Sequence, residues 1–580
     1  MLRSRQGLAP RGWWRALAVI TALMLVAAAC GDDDTADDAS TDETTATTAA
    51  PADDGDGDDD GAADEPADDM APVTGGSLVV GVESETNSYA PHVFAGTGAG
   101  TNVAYAVFDP LARRSADGEL VPYLAESITT NDDLSEWTVA LREGVLFHDG
   151  TELTAEVQKA AYDEYLVAED SRRLGDLAVV EEVRIDDTYT YTYVLNGPNA
   201  AFGDLLLGPI GWPFSIEAAR AAGEDFGEAP VGTGPFVWES WQRDDAAVLS
   251  RNPDYWQEGL PYLDEITFRV IPDEDVRVAA MQSGDLDATH SVRLSGMLNQ
   301  MRNLADEGVV TMFEAPGNTG SGSIINVERP PLDDVRVRRG LIHALNAEDL
   351  ITVVAGEGAT PPRQTYFDPS SQWYSEAAAA EYPAYDPEQA QALLDEYRND
   401  PGRSDGKAAG DPITFEFNCT AIPSLQEQAQ AYQAFWSQFG VEVTLNALEQ
   451  SAHIQNAIEG AYDINCWRQG SDLDPSTYLS QSHGPPESTP GNFTNYHTDE
   501  IQAALDQLRT GASFEERFEA AEIIQTAVAR DAVVIWTGGN NEFIAVVPEV
   551  SGIDSWTTPD GTVGDGAQGG TTMWAPVWRG

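Results

Sequence analysis

Asp472 and Asp474 lie two residues apart in the segment Cys466-Trp-Arg-Gln-Gly-Ser-Asp-Leu-Asp-Pro475. Paired carboxylates are the equipment of glycoside hydrolysis, one acting as acid and the other as base or nucleophile. In a chain of 580 residues with 97 Asp plus Glu, such pairs arise by chance, so spacing alone gives them no weight. The seven histidines, His92, His148, His290, His343, His453, His483 and His497, show no metal-ligand spacing, and no C-x-x-C or Cys/His pattern occurs. His148 falls in a Phe-His-Asp-Gly turn and His343 on a helix face among apolar residues, so both read as structural. The glycines of Gly96-Thr-Gly-Ala-Gly100 lack the following helix and acidic partner of a dinucleotide site, and read as a flexible loop. There is no H-E-x-x-H helix and no G-K-[ST] phosphate loop. The case for an enzyme is thin, and no catalytic residue, metal or cofactor is assigned. An extracellular hydrolase using clustered carboxylates is the remote alternative.

The elements around these residues alternate between short apolar strands and amphipathic helices. Ser77–Val82 predicts a strand, as do Trp137–Arg142 and Thr188–Leu195, which alternate with period two. Thr154 is a candidate N-cap for a helix over 154–165. Helices are expected over 335–344, with Asp333 or Asp334 near the start, and over 387–397, with Pro387 in the first turn after Asp386. A helix over 426–439 between strands at 413–419 and 441–445 forms a βαβ unit, which implies a parallel sheet. Phe514–Arg530 predicts a late helix. Cys419 and Cys466 end two apolar strands; a disulfide between them and two buried thiols are both compatible with the spacing.

Composition limits the partners. With 31 Lys plus Arg, of which only Lys159 and Lys407 are lysines, the net charge is −66. Nucleic-acid binding is excluded as a main activity, because phosphate binding needs clustered cations. Four arginines and no acid in residues 1–30, and 17 acids and no base in 31–75, leave 80 acids against 27 bases on 76–580, a net of −53. That excess reads as surface carboxylates kept hydrated for solubility or salt tolerance.

Arg3, Arg5, Arg11 and Arg15 precede an apolar run, 16–29, that is too short to span a bilayer as a helix. Ala27, Ala28 and Ala29 before Cys30 resemble the lipobox of bacterial lipoproteins, with Ala27 where the motif usually has Leu. Residues 1–29 are therefore expected to be a lipoprotein signal peptide and Cys30 the lipid attachment site. Residues 30–75 carry almost no large apolar side chain and read as an acidic, disordered tether.

Several collinear motifs of the body resemble the dipeptide- and oligopeptide-binding solute-binding proteins of ABC importers. They are GELVPYLAESITTNDDLSEWTVALREGVLFHDG at 118–150 with TELTA after it, PVGTGPF at 230–236, RNPDYW at 251–256, AAMQSGDLDAT at 279–289, PLDDVRVRRGLIHALNA at 331–347 and the YDP segment from Tyr385. The resemblance implies an α/β, two-lobed periplasmic-binding-protein fold of the large, class II, peptide-binding type, with an extra subdomain in lobe I. Lobe I is expected at 76–115, 225–322 and 535–580, the extra subdomain at 116–224 and lobe II at 323–534. The chain would cross between the lobes near Gly320–Ile324 and Ile535–Gly538, the first rich in small residues that absorb dihedral change.

The same resemblance implies the ligand and its contacts. The family's W-x-x-D-x-x-D-P motif begins at Trp467 here and ends at Asp474-Pro475, one residue longer, so the family's ammonium-pairing aspartate position falls on Gly470 or Ser471. Asp472 would substitute for it in pairing with the ammonium of a peptide in the interlobe cleft, with Asp474 beside it among the ligand-binding residues. Trp467 would line the cleft. Gly96, Thr97 and Gly98 match the family's ligand-facing loop, and Asn318 and Thr319 precede the first crossing. The implied partners are permease subunits with their ATPases, and a membrane reached through the lipid; the protein is expected to be a monomer. Relatives that bind oligosaccharides, nickel complexes or opines keep another small solute open, as does a role in sensing peptides.

Overall fold

Ser77–Val82 (SLVVGV) is a strand buried on both faces, as its unbroken apolar run requires. In the computed structural model, which describes residues 71–94, 98–116, 118–168, 171–292, 294–315, 319–356, 361–369, 371–470, 474–489, 491–511, 513–540, 542–564, 566–567 and 570–580, this strand lies at the middle of a seven-stranded sheet. The order across it is Thr311–Ala315, Glu542–Val546, Ala288–Ser291, Ser77–Val82, Glu265–Val270, Ala246–Arg251, Phe236–Gln242. Ser77–Val82 runs parallel to Glu265–Val270 on one side and to Ala288–Ser291 on the other. Cys30 and the leader and tether, 1–70, lie outside the described residues.

A second sheet of five strands is built by the βαβ unit expected from sequence. Ile413–Thr420 and Val441–Leu448 pair in parallel, joined by the helix Pro423–Ser437. Ile464–Gly470, Thr319–Ile325 and Val534–Gly539 complete the order beyond Ile413–Thr420. Cys419 and Cys466 stand on adjacent strands with their Cα atoms 4.9 Å apart and are joined as a disulfide inside the core of this sheet. A third, four-stranded antiparallel sheet (Ala125–Thr130, Glu136–Leu141, Thr190–Leu195, Val180–Ile185) forms the extra subdomain. Its Trp137 and Tyr191 belong to the same continuous core as Leu78 and Phe268 of the seven-stranded sheet.

Helix starts follow local chemistry. Thr154, Asp334, Asp386 and Ser513 each accept a hydrogen bond from a backbone N–H of the first turn, which satisfies a donor the helix cannot. Two sequence motifs prove to clasp each other. His148 takes the Gly232 N–H on Nδ1 (3.4 Å) and places Nε2 3.0 Å from the Gly234 carbonyl, while Gly234 N–H reaches the Val107 carbonyl at 2.8 Å. A Cβ on Gly232 or Gly234 would collide with that carbonyl, so close approach, not a left-handed turn, requires glycine there.

Two expectations are corrected. The Gly-rich stretch read as a loop is, from Gly98, the start of the helix Gly98–Val107. That helix is buried on almost every side, and the glycines at 98 and 100 in its first turn, poor helix formers, make the stretch read as a loop. Tertiary bonds hold it: Asn102 Nδ2 donates to Gly570 O (2.8 Å), and Trp574 Nε1 donates to Asn102 O (2.8 Å). Gly320–Ile324 and Ile535–Gly538 are paired strand residues of the five-stranded sheet, hydrogen-bonded to each other. The chain changes sheets between Ala315 and Thr319 and between Gly539 and Glu542, so the lobe borders expected at 322/323 and 534/535 move by several residues.

Candidate functional site

The strand directions define where a ligand would sit. Thr311–Ala315 leaves the seven-stranded sheet at the same edge as the carboxyl end of Ala288–Ser291, and Thr319 enters the five-stranded sheet opposite Gly470, the carboxyl end of its strand. The return follows the same rule: Gly539 ends Val534–Gly539 opposite Gly320, and Phe543 enters opposite Ser291. Both crossings thus join the carboxyl edge of one sheet to the carboxyl edge of the other. Open α/β sheets bind ligands beyond the carboxyl ends of their strands, where the chain direction switches. Here two such edges share one cleft.

Side chains bridge that cleft. Arg468 Nη1, on the strand Ile464–Gly470, donates to Val292 O beyond Ala288–Ser291 at 3.3 Å. Asn540, inside the second crossing, accepts from Leu294 N (3.0 Å) and from Ser321 Oγ (2.6 Å), one group from each sheet's side. Leu294 packs with Ile351 and Ala355 beside it. Farther out, Ser424 Oγ meets Glu274 Oε1 at 3.3 Å, joining the first turns of two helices that follow carboxyl strand ends. The extra subdomain also reaches across: Gln481 Nε2 donates to Asp176 Oδ1 (2.6 Å), and Ala200 N to Arg509 O (3.3 Å). Burial raises the Asp176 carboxyl above its usual range, against the pull of Arg173.

Of the residues expected at the site, Trp467 stands on the central strand of this edge, half-buried, with the His453 ring 5.6 Å and the Phe493 ring 5.0 Å away. Gly98 opens its helix against Val292, whose methyls lie 3.0 Å from where a Cβ would be. Thr319 is the first residue of its strand, opposite Gly470. Gly96, Thr97, Asn318 and Asp472 lie outside the described residues. Asp474 does not present a free carboxylate to a ligand. Its Oδ1 accepts from Ser476 N (2.9 Å), capping the helix Pro475–His483, and its Oδ2 is paired with Arg517. An aspartate directly before a proline-started helix is a capping signal, and that local demand takes the side chain.

Arg468, Asn540 and Leu294 were not singled out from sequence. Arg468 carried one legible signal, a cation inside an apolar strand of a strongly acidic chain; Asn540 and Leu294 carried none, because their partners are hundreds of residues away. Among the described residues no group of three His, Cys, Asp or Glu could hold a metal ion, and no helix is long and apolar enough to cross a membrane.

Solved structures share this arrangement. The periplasmic binding protein DppA of Helicobacter pylori, in complex with the peptide STSA, superposes with a TM-score of 0.75 at 21% identity, over 87% of this chain and 98% of that one. The oligopeptide-binding protein AppA of Bacillus subtilis, in complex with a nonapeptide, gives 0.76 at 20% identity, over 88% of this chain and 100% of that one. The fold is that of the two-lobed periplasmic binding proteins. In sequence, the glutathione-binding protein GsiB of Salmonella typhimurium is 29% identical over 351 residues, 60% of this chain. The match spans 65% of that relative's length. Residues 119–489 match the profile of the bacterial extracellular solute-binding proteins, family 5, and the chain belongs to that family.

Proposed function

We propose that the protein is the extracytoplasmic solute-binding component of an ABC importer, capturing short peptides in the interlobe cleft and presenting them to permease subunits driven by their ATPases. Support comes from the bridged cleft itself: Arg468, Asn540, Ser424 and Gln481 connect the two sides only when the carboxyl edges face each other closely. A ligand filling the cleft favours that state by touching both sides at once, and it shifts the population by its differential affinity. Peptides are favoured as ligands because GsiB, DppA and AppA are named for, or solved with, peptides. In this reading Trp467 covers a ligand side chain, the segment containing Asp472 receives the ligand ammonium, and a lipid on Cys30 holds the monomer to the membrane. Binding and release require no bond to be made or broken.

Mass spectrometry of what the purified protein releases on denaturation tests this. Recovered short peptides, with affinity lost in Asp472→Asn, support it. A thermal-shift panel of di- to nonapeptides that moves nothing, while another solute class does, overturns the peptide assignment.

A further inference from the structure

A second recess lies away from the cleft. It has a volume of about 430 Å³ and is lined by Arg142 and Glu143, just past the strand Glu136–Leu141, by Trp256, Gln257 and Glu258 of one loop, and by Pro559. That loop precedes the strand Glu265–Val270, so it stands at the amino edge of the seven-stranded sheet, opposite the cleft. The size falls within the ~300–1,000 Å³ of small-molecule sites.

The floor is rigidly held. Trp256 Nε1 donates to Asp109 Oδ2 at 2.6 Å, and Asp109 is fully buried, receiving Tyr255 Oη at 3.3 Å as well. Tyr123 meets the Trp256 ring edge-on at 5.6 Å, and its hydroxyl accepts from Gln257 Nε2 at 3.0 Å. The Arg142 guanidinium lies 5.3 Å from the Trp256 ring centroid, and its Nε donates to Tyr123 O at 3.0 Å. Glu143 and Glu258 stand exposed at the rim.

The chemistry of these groups selects among ligands. An anion would meet Glu143 and Glu258, with Glu126 and Asp560 also acting on Arg142. A cation would compete with Arg142, which already holds the cation–π position on Trp256. A purely apolar guest would strip water from three charged groups without replacing its bonds. A neutral ring with hydroxyls on its edge meets none of these costs: the Glu143 and Glu258 carboxylates accept and the Arg142 guanidinium donates. We propose that the recess is a second ligand site, separate from the interlobe cleft, that takes a neutral saccharide of one or two rings.

The test is a titration of the full-length protein with cellobiose, maltose and N,N′-diacetylchitobiose, followed by tryptophan emission and calorimetry. At least one disaccharide is expected to bind with a Kd of ~0.1–10 mM. The double variant Glu143→Ala/Glu258→Ala is expected to weaken it roughly tenfold, while peptide-induced thermal stabilisation stays as in the parent. Both side chains are exposed, so folding is not at stake. The proposal is overturned if no disaccharide binds, if the double variant binds as the parent does, or if saturating the cleft with peptide abolishes sugar binding.

Discussion

The Arg468 guanidinium, carried by the five-stranded sheet, donates to the Val292 carbonyl at the edge of the seven-stranded sheet across 3.3 Å. A hydrogen bond from a charged donor contributes about 1.5–3 kcal/mol. Since this one spans the cleft, it stabilises the bridged state. Arg468→Ala is expected to weaken ligand affinity roughly tenfold to hundredfold and to shift small-angle scattering towards a more extended shape. Unchanged affinity and scattering would show the contact to be incidental to closure.

The Cys419–Cys466 bond closes a loop with a sequence separation of 47. In the chain-entropy account a loop of that length contributes about 4 kcal/mol by restricting the unfolded chain. Cys419→Ser/Cys466→Ser, or reduction under mild denaturant, is expected to lower the melting temperature of the second lobe by several degrees. Identical melting of oxidised and reduced protein would contradict this.

Stability should depend on pH through buried groups with opposite signs. Burial pushes the imidazoles of His148 and His483 down to about 4, from an ordinary 6.5. Each contributes stability that is complete above 6.5 and is lost as pH falls to 4, where the folded form must also take up the proton. Burial pushes the Asp109 carboxyl up to about 7, from 3.8; its contribution is complete below 3.8 and is lost as pH rises through 7. Between 4 and 6.5 the two histidines outweigh the one aspartate, so stability rises with pH by roughly 1.4 kcal/mol per unit from these groups. Asp109→Asn removes the opposing contribution, and a steeper rise in chemical-denaturation midpoints over that range is the expected result.

A net charge of −66 on 580 residues opposes compaction by self-repulsion. Salt screens it, with a Debye length falling from about 10 Å at 0.1 M to about 3 Å at 1 M. The melting temperature is therefore expected to climb between low and molar NaCl. A flat or falling curve would mean that ion pairs such as Arg336 with Asp334 and Asp400 outweigh the repulsion.

Gly234 lies so close to the Val107 carbonyl that a methyl cannot fit without moving backbone. Gly234→Ala is expected to cost about 1–3 kcal/mol, the usual range for overpacking, and to loosen the His148 clasp with it. Gly144→Ala tests a different cause. It has open space around it, so any loss there comes from its φ of +76° alone.

What could be read along the chain was whatever depends on neighbours a few residues apart. The capped helices starting after Thr154, Asp334 and Asp386 were legible, because a cap and its first turn are one local unit. The parallel pair Ile413–Thr420 and Val441–Leu448 was legible for the same reason, with its connecting helix between. The family motifs carried the two-lobed architecture, but not where the chain changes lobes. Gly320–Ile324 looked like a hinge by composition, yet its glycines let the Thr319–Ile325 strand lie close to Val534–Gly539, where a Cβ on Gly322 would strike the Ile535 carbonyl. The helix at Gly98 exists because residues 570–574 bind it, and the Asp474 carboxylate, one oxygen of which caps its own helix, gives the other to the distant Arg517. Arg468 faces Val292 only once two sheets, formed from segments far apart in the chain, present their carboxyl edges to each other. Such pairings are set by strand order and by which groups burial leaves adjacent, and neither is a property of any short stretch of sequence.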